Sequence, residues 1–177
     1  MVTLQGDQGT NSDSKVLILR KPTPEDGPGV TALIRGSPPL DPNSAYCHLI
    51  QCTHFSDTCV VAERSGVVLG WIAAYRPPSE PDQIFVWQVA VDPAARGTGL
   101  AGRMLDALAE RPEVRDAAAL TATITPENTP SWALFNAFAR DRGTKLTREP
   151  LFDQERHFGG AHGTEWLVAI RPLHPSQ

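Results

Sequence analysis

Apolar positions along the chain follow two periodicities, and their alternation predicts a mixed fold. Short apolar or β-branched runs predict strands over residues 16–19, 58–63, 67–74, 84–91, 120–124 and 166–170. Apolar residues at helical spacing predict four helices, which start near Thr23, Ser44, Gly99 and Thr129. Strands interleaved with helices in this order indicate the α/β (α+β) class.

Local signals set the boundaries of several of these elements. The pair Ser65-Gly66 between two β-rich runs predicts a hairpin. Thr23 and Ser44 are suited to cap the first two helices, because their hydroxyl groups can accept from unpaired backbone N–H groups. Thr129 followed by Pro130 predicts the start of the fourth helix in the same way.

Size and charge narrow the classes of protein to consider. The chain has 177 residues, 41% of them hydrophobic, which favours one globular domain. We expect that domain over residues 16–172, after a disordered tail (1–15) and before a short C-terminal tail (173–177). The net charge of −4 argues against nucleic acid as a partner. The sequence shows neither a membrane-length apolar run nor a signal peptide, so we expect a cytoplasmic protein.

A cluster of cysteine and histidine residues raises the question of a metal site. The cluster contains Cys47, His48, Cys52, His54 and Cys59. It has no C-x-x-C pair, and buried free thiols are common in apolar stretches of this kind. We therefore predict structural thiols and no metal.

The strand over 84–91 leads into a glycine-rich turn and then directly into a helix. Gly97 and Gly99 can adopt positive φ and leave the backbone open to a ligand, and the helix start offers unpaired N–H groups. Arg96 adds a positive charge. The sequence contains neither a G-x-x-x-x-G-K-[ST] loop nor a G-x-G-x-x-G turn, so the nucleotide sites they mark are excluded. The segment either binds a phosphate group or is simply a turn and a helix cap.

The turn resembles the R/Q-x-x-G-x-G/A pattern of the GCN5-related N-acetyltransferases (GNAT), at Arg96, Gly99 and Ala101. The resemblance implies a single GNAT domain, with a mixed central sheet of about six to seven strands and about four flanking helices. It also implies acetyl-CoA as cosubstrate, with its pyrophosphate at the turn and its pantetheine arm along the preceding strand. The implied cofactor-binding residues are Val89, Ala90, Val91, Arg96, Gly97, Thr98, Gly99, Leu100, Ala101 and Asn128.

Two positions after the fifth predicted strand qualify this resemblance. Asn128 matches a family asparagine that bonds to the pantetheine arm, although an asparagine there could equally be a loop or capping residue. Many family members have a tyrosine seven residues further on, which protonates the leaving thiolate. Here that position is Phe135, so another acid or water must supply the proton.

A narrower resemblance covers most of the chain. The segments 40–46, 85–91, 125–128, 134–140 and 158–165 are similar to the diaminobutyrate acetyltransferases of ectoine biosynthesis. This resemblance implies acetyl transfer to the 4-amino group of L-2,4-diaminobutyrate. The residues that match the acceptor pocket of that family are Asp41, Tyr46, Trp87, His162 and Glu165.

The residue types suggest a role for each position in that pocket. Asp41 and Glu165 would orient ammonium groups, and Trp87 would offer a face for a cation. We expect His162 to contact the substrate carboxylate or relay a proton, and Tyr46 to protonate the thiolate. Tyr46, His162 and Glu165 are thus the expected catalytic residues.

Each of these positions also has a purely structural interpretation. Trp87 and Tyr46 could be core residues, Asp41 before Pro42 could be a turn former, and His162 could be an exposed loop residue. Their joint occurrence favours the functional interpretation.

Other interpretations of the chain remain open. Gln83 stands where we expect a hydroxyl residue, which places one polar contact in doubt. An acetyltransferase for a polyamine, an antibiotic or a protein N-terminus would keep the same CoA site, and a non-catalytic acyl-CoA-binding module would fit the missing hydroxyl at Phe135. We also expect a homodimer, with Trp166 and Leu167 near an exposed end.

Overall fold

The computed structural model describes residues 16–175, and these residues form a seven-stranded sheet. The spatial order of the strands is β1-β2-β3-β4-β5-β7-β6. Neighbouring strands are antiparallel except β4 and β5, which are parallel. The strands are β1 (Ile18–Arg20), β2 (Val60–Arg64), β3 (Val67–Tyr75), β4 (Gln83–Val91), β5 (Ala119–Ile124), β6 (Lys145–Phe152) and β7 (Glu165–Arg171).

Helices cover both faces of the sheet. The helices are α1 (Gly27–Arg35), α2 (Ala45–His54), α3 (Leu100–Ala109), α4 (Thr129–Asp141) and the short α5 (Gln154–Phe158). Side chains of α3 and α4, such as Met104 and Phe138, pack on one face in the larger apolar cluster. Side chains of α1 and α2, such as Ile34 and Cys52, pack against Trp71 on the other face. The predicted α/β (α+β) sheet with flanking helices is confirmed.

Several predicted boundaries agree with the structure. Ser65 and Gly66 have φ of 54° and 77°, the left-handed conformation that a tight hairpin between β2 and β3 requires. The Ser44 side chain caps α2 by accepting from the N–H of Cys47 at 3.0 Å. The first strand is shifted from the predicted 16–19 to Ile18–Arg20. Arg20 is its last residue, and the Arg20 guanidinium forms an ion pair with Asp26 at 2.7 Å.

The predicted cap of α4 was wrong by one residue. Asn128, and not Thr129, is the N-cap, and its side-chain oxygen accepts from the N–H of Ser131 at 3.2 Å. An asparagine satisfies this position as well as a threonine, and Pro130 is tolerated in the first turn in either register.

Two elements, β6 and α5, were not predicted from the sequence. Most side chains of β6 are exposed, and the strand lies at the edge of the sheet, where apolar alternation is not required. Pro150 is tolerated there for the same reason. Helix α5 has only five residues, and its signals are a capping Asp153 and Gly159 with φ of 57°.

The predicted limits of the domain, residues 16 and 172, can be compared with the structure at the C-terminal end only. The predicted tail over 1–15 lies outside the described residues. Leu173, one residue past the predicted domain end, is fully buried, and its N–H donates to the carbonyl of Ala118 at 3.0 Å. Among residues 16–175, the helices are all too short or too polar to cross a bilayer.

Candidate functional site

Strand β4 contains a β-bulge at Trp87. On the neighbouring β3, Ala73 pairs with Gln88 and the next residue, Ala74, pairs with Val86, so Trp87 is the extra residue. The bulge reverses which face the side chains point to. Before it, Val86 packs with α3 and α4, and after it, Ala90 packs with α1 and α2.

The bulge coincides with a separation of β4 from β5. Their parallel pairing ends at Val86 and Ala122, although β4 continues to Val91 and β5 to Ile124. Beyond Val86, β4 still pairs with β3 on its other side, so alternate N–H and C=O groups of its last residues face the opening. An extended ligand could bond to these groups as an added strand.

The glycine turn lies at the end of this opening. Gly97 and Gly99 have φ of 74° and 75°, and a Cβ atom on either would meet nothing within 4 Å. Glycine is therefore required for its conformation, and the space above the turn is open. Gly99 caps α3 without a side-chain bond, which leaves the first N–H groups of α3 available to an anion.

Local hydrogen bonds hold the turn together. The Arg96 Nε donates to the carbonyl of Val91 at 3.1 Å, and the Thr98 hydroxyl donates to the carbonyl of Ala95 at 2.7 Å. The Asp92 carboxylate accepts from the N–H of Ala94. Arg96 and Thr98 are thus committed to the shape of the turn through these atoms, and the predicted phosphate-binding backbone is preformed.

Asn128 lies at the start of α4, directly after β5. Its side-chain oxygen caps the helix, so the capping interpretation holds. Its Nδ2 group has no partner among residues 16–175, so the same side chain can still donate to a ligand. Trp132 braces the preceding loop, because its indole N–H donates to the carbonyl of Thr125 at 3.0 Å.

Asp41 is both a turn former and a residue attached to the sheet. Its carboxylate accepts from the N–H of Asn43 at 3.0 Å, which closes a tight turn. Its main-chain carbonyl accepts from the Gln88 Nε2 at 2.9 Å. The loop before α2 is therefore attached to β4 next to the bulge.

Trp87 is 46% exposed and belongs to a partly open aromatic cluster. Its ring lies edge-on to Tyr75 with centroids 6.4 Å apart, and Tyr75 contacts Phe85 at 5.4 Å and Phe55 at 6.1 Å. The alternative that Trp87 is a core residue does not hold. A large aromatic face at the end of a strand pairing is available to a ligand.

His162 and Glu165 lie together at the start of β7. The His162 Nε2 is 3.8 Å from a Glu165 carboxylate oxygen, while its Nδ1 donates to the carbonyl of Gly163 at 2.8 Å. The second oxygen of Glu165 is buried without a partner among the described residues. A buried unpaired carboxylate oxygen favours a bound cation or donor.

This loop lies beside the segment that carries Asn128. A Cβ atom on Gly163 would be 3.7 Å from the Glu127 carboxylate and 3.9 Å from the Thr125 side chain. In addition, Trp166 pairs with Ile124 at the end of β5. The His162–Glu165 pair is therefore next to the opening between β4 and β5.

Tyr46 and Phe135 differ from the other candidates. Tyr46 is 72% exposed in the first turn of α2, and its hydroxyl makes no hydrogen bond among the described residues. Its role stays a prediction. Phe135 is buried in the cluster with α3 and α4, so that position carries packing and not acid catalysis.

Sequence reasoning missed two residues of the site, Gln88 and Tyr75. Gln88 is a polar residue within the apolar run of β4, and that was the available signal. Its orientation could not be predicted, because the bulge at Trp87 reverses the alternation. Tyr75 ends β3 one residue beyond the strand predicted over 67–74.

The cysteines behave as structural thiols. Cys52 and Cys59 are buried, as predicted, and Cys47 is half-buried. Burial raises the pKa of Cys52 to about 11 and that of Cys59 to about 12, so both are protonated near neutral pH. The part of the chain that the structure describes holds no group of three or more potential metal ligands.

Comparison with known families identifies the class of protein. Residues 30–139 match the Acetyltransferase (GNAT) family. The match spans α1 to α4 and includes the bulge, the opening and the glycine turn. This chain belongs to the GNAT acetyltransferase family, and its cosubstrate is acetyl-CoA.

Individual relatives narrow the comparison. The chain is 47% identical to an L-2,4-diaminobutyric acid acetyltransferase of Methylotuvimicrobium alcaliphilum over 89% of this chain and 92% of that protein. It is 43% identical to the protein of the same name in Vibrio cholerae, over 90% of this chain and 91% of that protein. The narrower resemblance seen in the motifs is confirmed.

A solved structure agrees with these relatives. The diaminobutyrate acetyltransferase of Paenibacillus lautus, in complex with L-2,4-diaminobutyric acid and coenzyme A, superposes with a TM-score of 0.86 and 34% identity. The alignment covers 92% of this chain and 99% of that chain.

Proposed function

We propose that this protein transfers the acetyl group of acetyl-CoA to the 4-amino group of L-2,4-diaminobutyrate. The product is N4-acetyl-L-2,4-diaminobutyrate, an intermediate of ectoine biosynthesis. The observation that carries the proposal is the match, over 92% of this chain, to a diaminobutyrate acetyltransferase solved with this amino acid and coenzyme A.

The donor side is formed mainly by main chain. The pantetheine arm pairs with Val89, Ala90 and Val91 in the opening beside β5, and Asn128 donates to it from the other side. The pyrophosphate binds to the turn and to the first N–H groups of α3, from residue 96 to residue 101. This arrangement brings the thioester to the bulge at Trp87.

The reaction at the bulge requires three events. The acceptor ammonium loses a proton, the neutral nitrogen forms a bond to the thioester carbon, and the carbon–sulfur bond breaks as the thiolate leaves. A main-chain N–H near Val89 polarises the carbonyl oxygen while negative charge develops on it. The nitrogen then loses its second proton to give the neutral amide, and protonation of the thiolate completes the transfer.

The acceptor side is formed by side chains from distant parts of the chain. Asp41 and Glu165 bind the ammonium groups, and the face of Trp87 covers the carbon chain and the positive charge. His162 contacts the carboxylate or relays the proton, since its Nε2 already faces Glu165. A pocket that fixes the amino-acid head presents only the distal amine to the thioester.

We assign protonation of the thiolate to Tyr46. Its exposed hydroxyl is on α2, whose N-terminal loop is attached to β4 through Gln88. Phe135 cannot perform this step, because a phenyl ring has no proton to donate. Tyr46, His162 and Glu165 are thus the proposed catalytic residues.

One assay separates this function from the alternatives. Thiol release from acetyl-CoA is measured with L-2,4-diaminobutyrate, polyamines, aminoglycosides and peptides as acceptors. We expect the highest kcat/KM with diaminobutyrate. Preference for a polyamine, an aminoglycoside or a peptide would replace the proposed acceptor, and no turnover with any amine would favour a non-catalytic acyl-CoA-binding module.

We also propose that the enzyme acts in the cytoplasm as a homodimer and serves the response to osmotic stress. Light scattering after size exclusion tests the dimer, and a mass of about 19.2 kDa would contradict it. Cell fractionation and transcript levels at high salinity test the other two points.

A further inference from the structure

Gln88 is a polar residue that the bulge turns into the acceptor half of the molecule. It pairs with Ala73, whose side chain packs with α1 and α2, so Gln88 is on that same face. Without the extra residue at Trp87, it would share the face of Val86 and point into the apolar cluster under α3 and α4. The bulge thus keeps the Gln88 amide out of that apolar cluster and lets it reach a polar group on the other face.

The polar group that Gln88 reaches belongs to the loop that carries Asp41. The Gln88 Nε2 donates to the Asp41 carbonyl at 2.9 Å, across 47 residues of sequence. The other hydrogen bonds of this loop among the described residues are local. They include Leu40 N–H to the Ser37 carbonyl and Asn43 N–H to the Asp41 carboxylate. Among the described residues, the bond from Gln88 is therefore the hydrogen bond that joins the turn to the sheet, and Leu40 of the same loop adds apolar contact with the cluster under α1 and α2.

The second polar atom of Gln88 supports a role beyond packing. Gln88 is only 6% exposed, and its Oε1 is buried with no partner among residues 16–175. A buried amide oxygen without a donor is unfavourable, and a leucine would fill similar space without that cost. The bond from its Nε2 to the Asp41 carbonyl is the interaction of the amide that offsets this cost.

We propose that Gln88 is a positioning residue for the acceptor substrate. It acts through Asp41, because it fixes the loop so that the Asp41 carboxylate lies at a set distance from the bulge and the thioester. This inference rests on the proposed function only in taking Asp41 as an acceptor ligand. It predicts a defect in acceptor binding and none in acetyl-CoA binding.

The test compares Gln88→Leu with Gln51→Leu, a second buried glutamine whose amide makes no hydrogen bond among the described residues. For Gln88→Leu we expect KM for diaminobutyrate to rise about fivefold, which is no more than the effect of losing the Asp41 charge itself, while KM for acetyl-CoA stays within about twofold. For Gln51→Leu both constants stay within about twofold. A joint rise of both constants, or an unchanged KM for diaminobutyrate in a folded Gln88→Leu protein, would overturn the proposal.

A double-mutant cycle separates positioning from a general loss of structure. In the Asp41→Ala background, Gln88→Leu should change KM for diaminobutyrate by less than about threefold, since the residue through which it acts is gone. If the rise in KM for diaminobutyrate in the double variant equals the product of the rises in the two single variants, Gln88 does not act through Asp41. If Gln88→Leu does not fold, Gln88→Met replaces it, because methionine keeps the length of the side chain and has no hydrogen-bond donor.

Amide hydrogen exchange gives a result that does not depend on the identity of the acceptor. Gln88→Leu should speed exchange of residues 38–44 at least about tenfold and leave residues 97–101 unchanged. Unchanged exchange at 38–44 would reject the positioning role. Failure of wild-type protein to use diaminobutyrate would reject the proposed function alone.

Discussion

The donor half and the acceptor half of the site are built in different ways. The proposed donor half uses mainly main-chain groups of one continuous stretch, residues 89–101, and the turn in that stretch is shaped by two positive-φ glycines and short local bonds. The proposed acceptor half uses side chains from distant parts of the sequence, from Asp41 to Glu165. Backbone recognition suits a cosubstrate common to a whole family, and side-chain recognition suits the acceptor that distinguishes its members.

The largest effect that separates the halves is expected at Glu165. Glu165→Gln removes the charge from a carboxylate that is 19% exposed and has one buried, unpaired oxygen. Loss of a charge-assisted bond to an ammonium costs about 2–3 kcal/mol, so kcat/KM for diaminobutyrate should fall roughly 30- to 150-fold.

Steady-state kinetics with each substrate varied in turn measures this effect. KM for acetyl-CoA should not change, and the exposed Glu149→Gln on β6 is the matched control. A large rise in KM for acetyl-CoA would remove the distinction between the halves at this residue.

A smaller effect is expected on the donor half from Gly99→Val. A β-branched residue at φ of 75° is strained by about 1–2 kcal/mol, and its side chain would occupy the open space above the turn. We expect KM for acetyl-CoA to rise roughly tenfold, with KM for diaminobutyrate almost unchanged.

Gly143→Val controls for the strain itself. Gly143 follows α4 with φ of 66° and is equally open, so its substitution should lower the free energy of unfolding by a similar amount. Thermal unfolding compares the two variants. If Gly143→Val weakened acetyl-CoA binding as much as Gly99→Val, the turn would have no special role.

Asp41→Asn should raise KM for diaminobutyrate about fivefold to tenfold. The amide oxygen of asparagine can still accept from the N–H of Asn43, so the turn survives and only the charge is lost. The same substitution at the exposed Asp141 is the control. A KM for diaminobutyrate that matches wild type would restrict Asp41 to its structural role.

The smallest effect concerns the pH dependence of stability and comes from α2, the helix that carries the proposed acceptor-side residue Tyr46. His48 on α2 is fully buried, its Nδ1 is 2.9 Å from the Thr31 hydroxyl, and burial lowers its pKa from 6.5. The unfolded chain therefore binds more protons than the folded one as pH falls below about 6.5, so stability is lost in that range. Between pH 6.5 and 5.5 we expect a loss of at most about 1.4 kcal/mol.

Urea unfolding at several pH values measures this loss. His48→Gln should flatten the dependence between pH 6.5 and 5.5, whereas His54→Gln, at an exposed position on the same helix, should leave it intact. If the free energy of unfolding of His48→Gln depends on pH as in wild type, the loss of stability comes from other groups.

The conformation of the glycine turn and the cap of α2 could be predicted from the sequence because their signals are local. Glycine tolerates positive φ, which explains the turn at Gly97 and Gly99, and a serine hydroxyl can accept from a helix N–H, which explains the cap at Ser44. Neither prediction requires knowledge of the fold. Strand β6 could not, because an edge strand with exposed side chains leaves no apolar alternation to detect.

The acceptor half was predicted only as far as the resemblance extended. The bulge at Trp87 depends on how β3 and β4 pair, which no local pattern encodes. Gln88 was missed for that reason, since its side chain points away from the face that simple alternation predicts. The proximity of His162 to Glu165 follows from local spacing, but its place beside β5 follows from sheet topology.

The position of the acetyl group in the product tests the account most directly. Wild-type protein is incubated with L-2,4-diaminobutyrate and acetyl-CoA labelled with ¹³C at the carbonyl, and the product is analysed by two-dimensional NMR. The account predicts a correlation from the labelled carbonyl to the protons on carbon 4. A correlation to the proton on carbon 2, or no acetylated product, would contradict it.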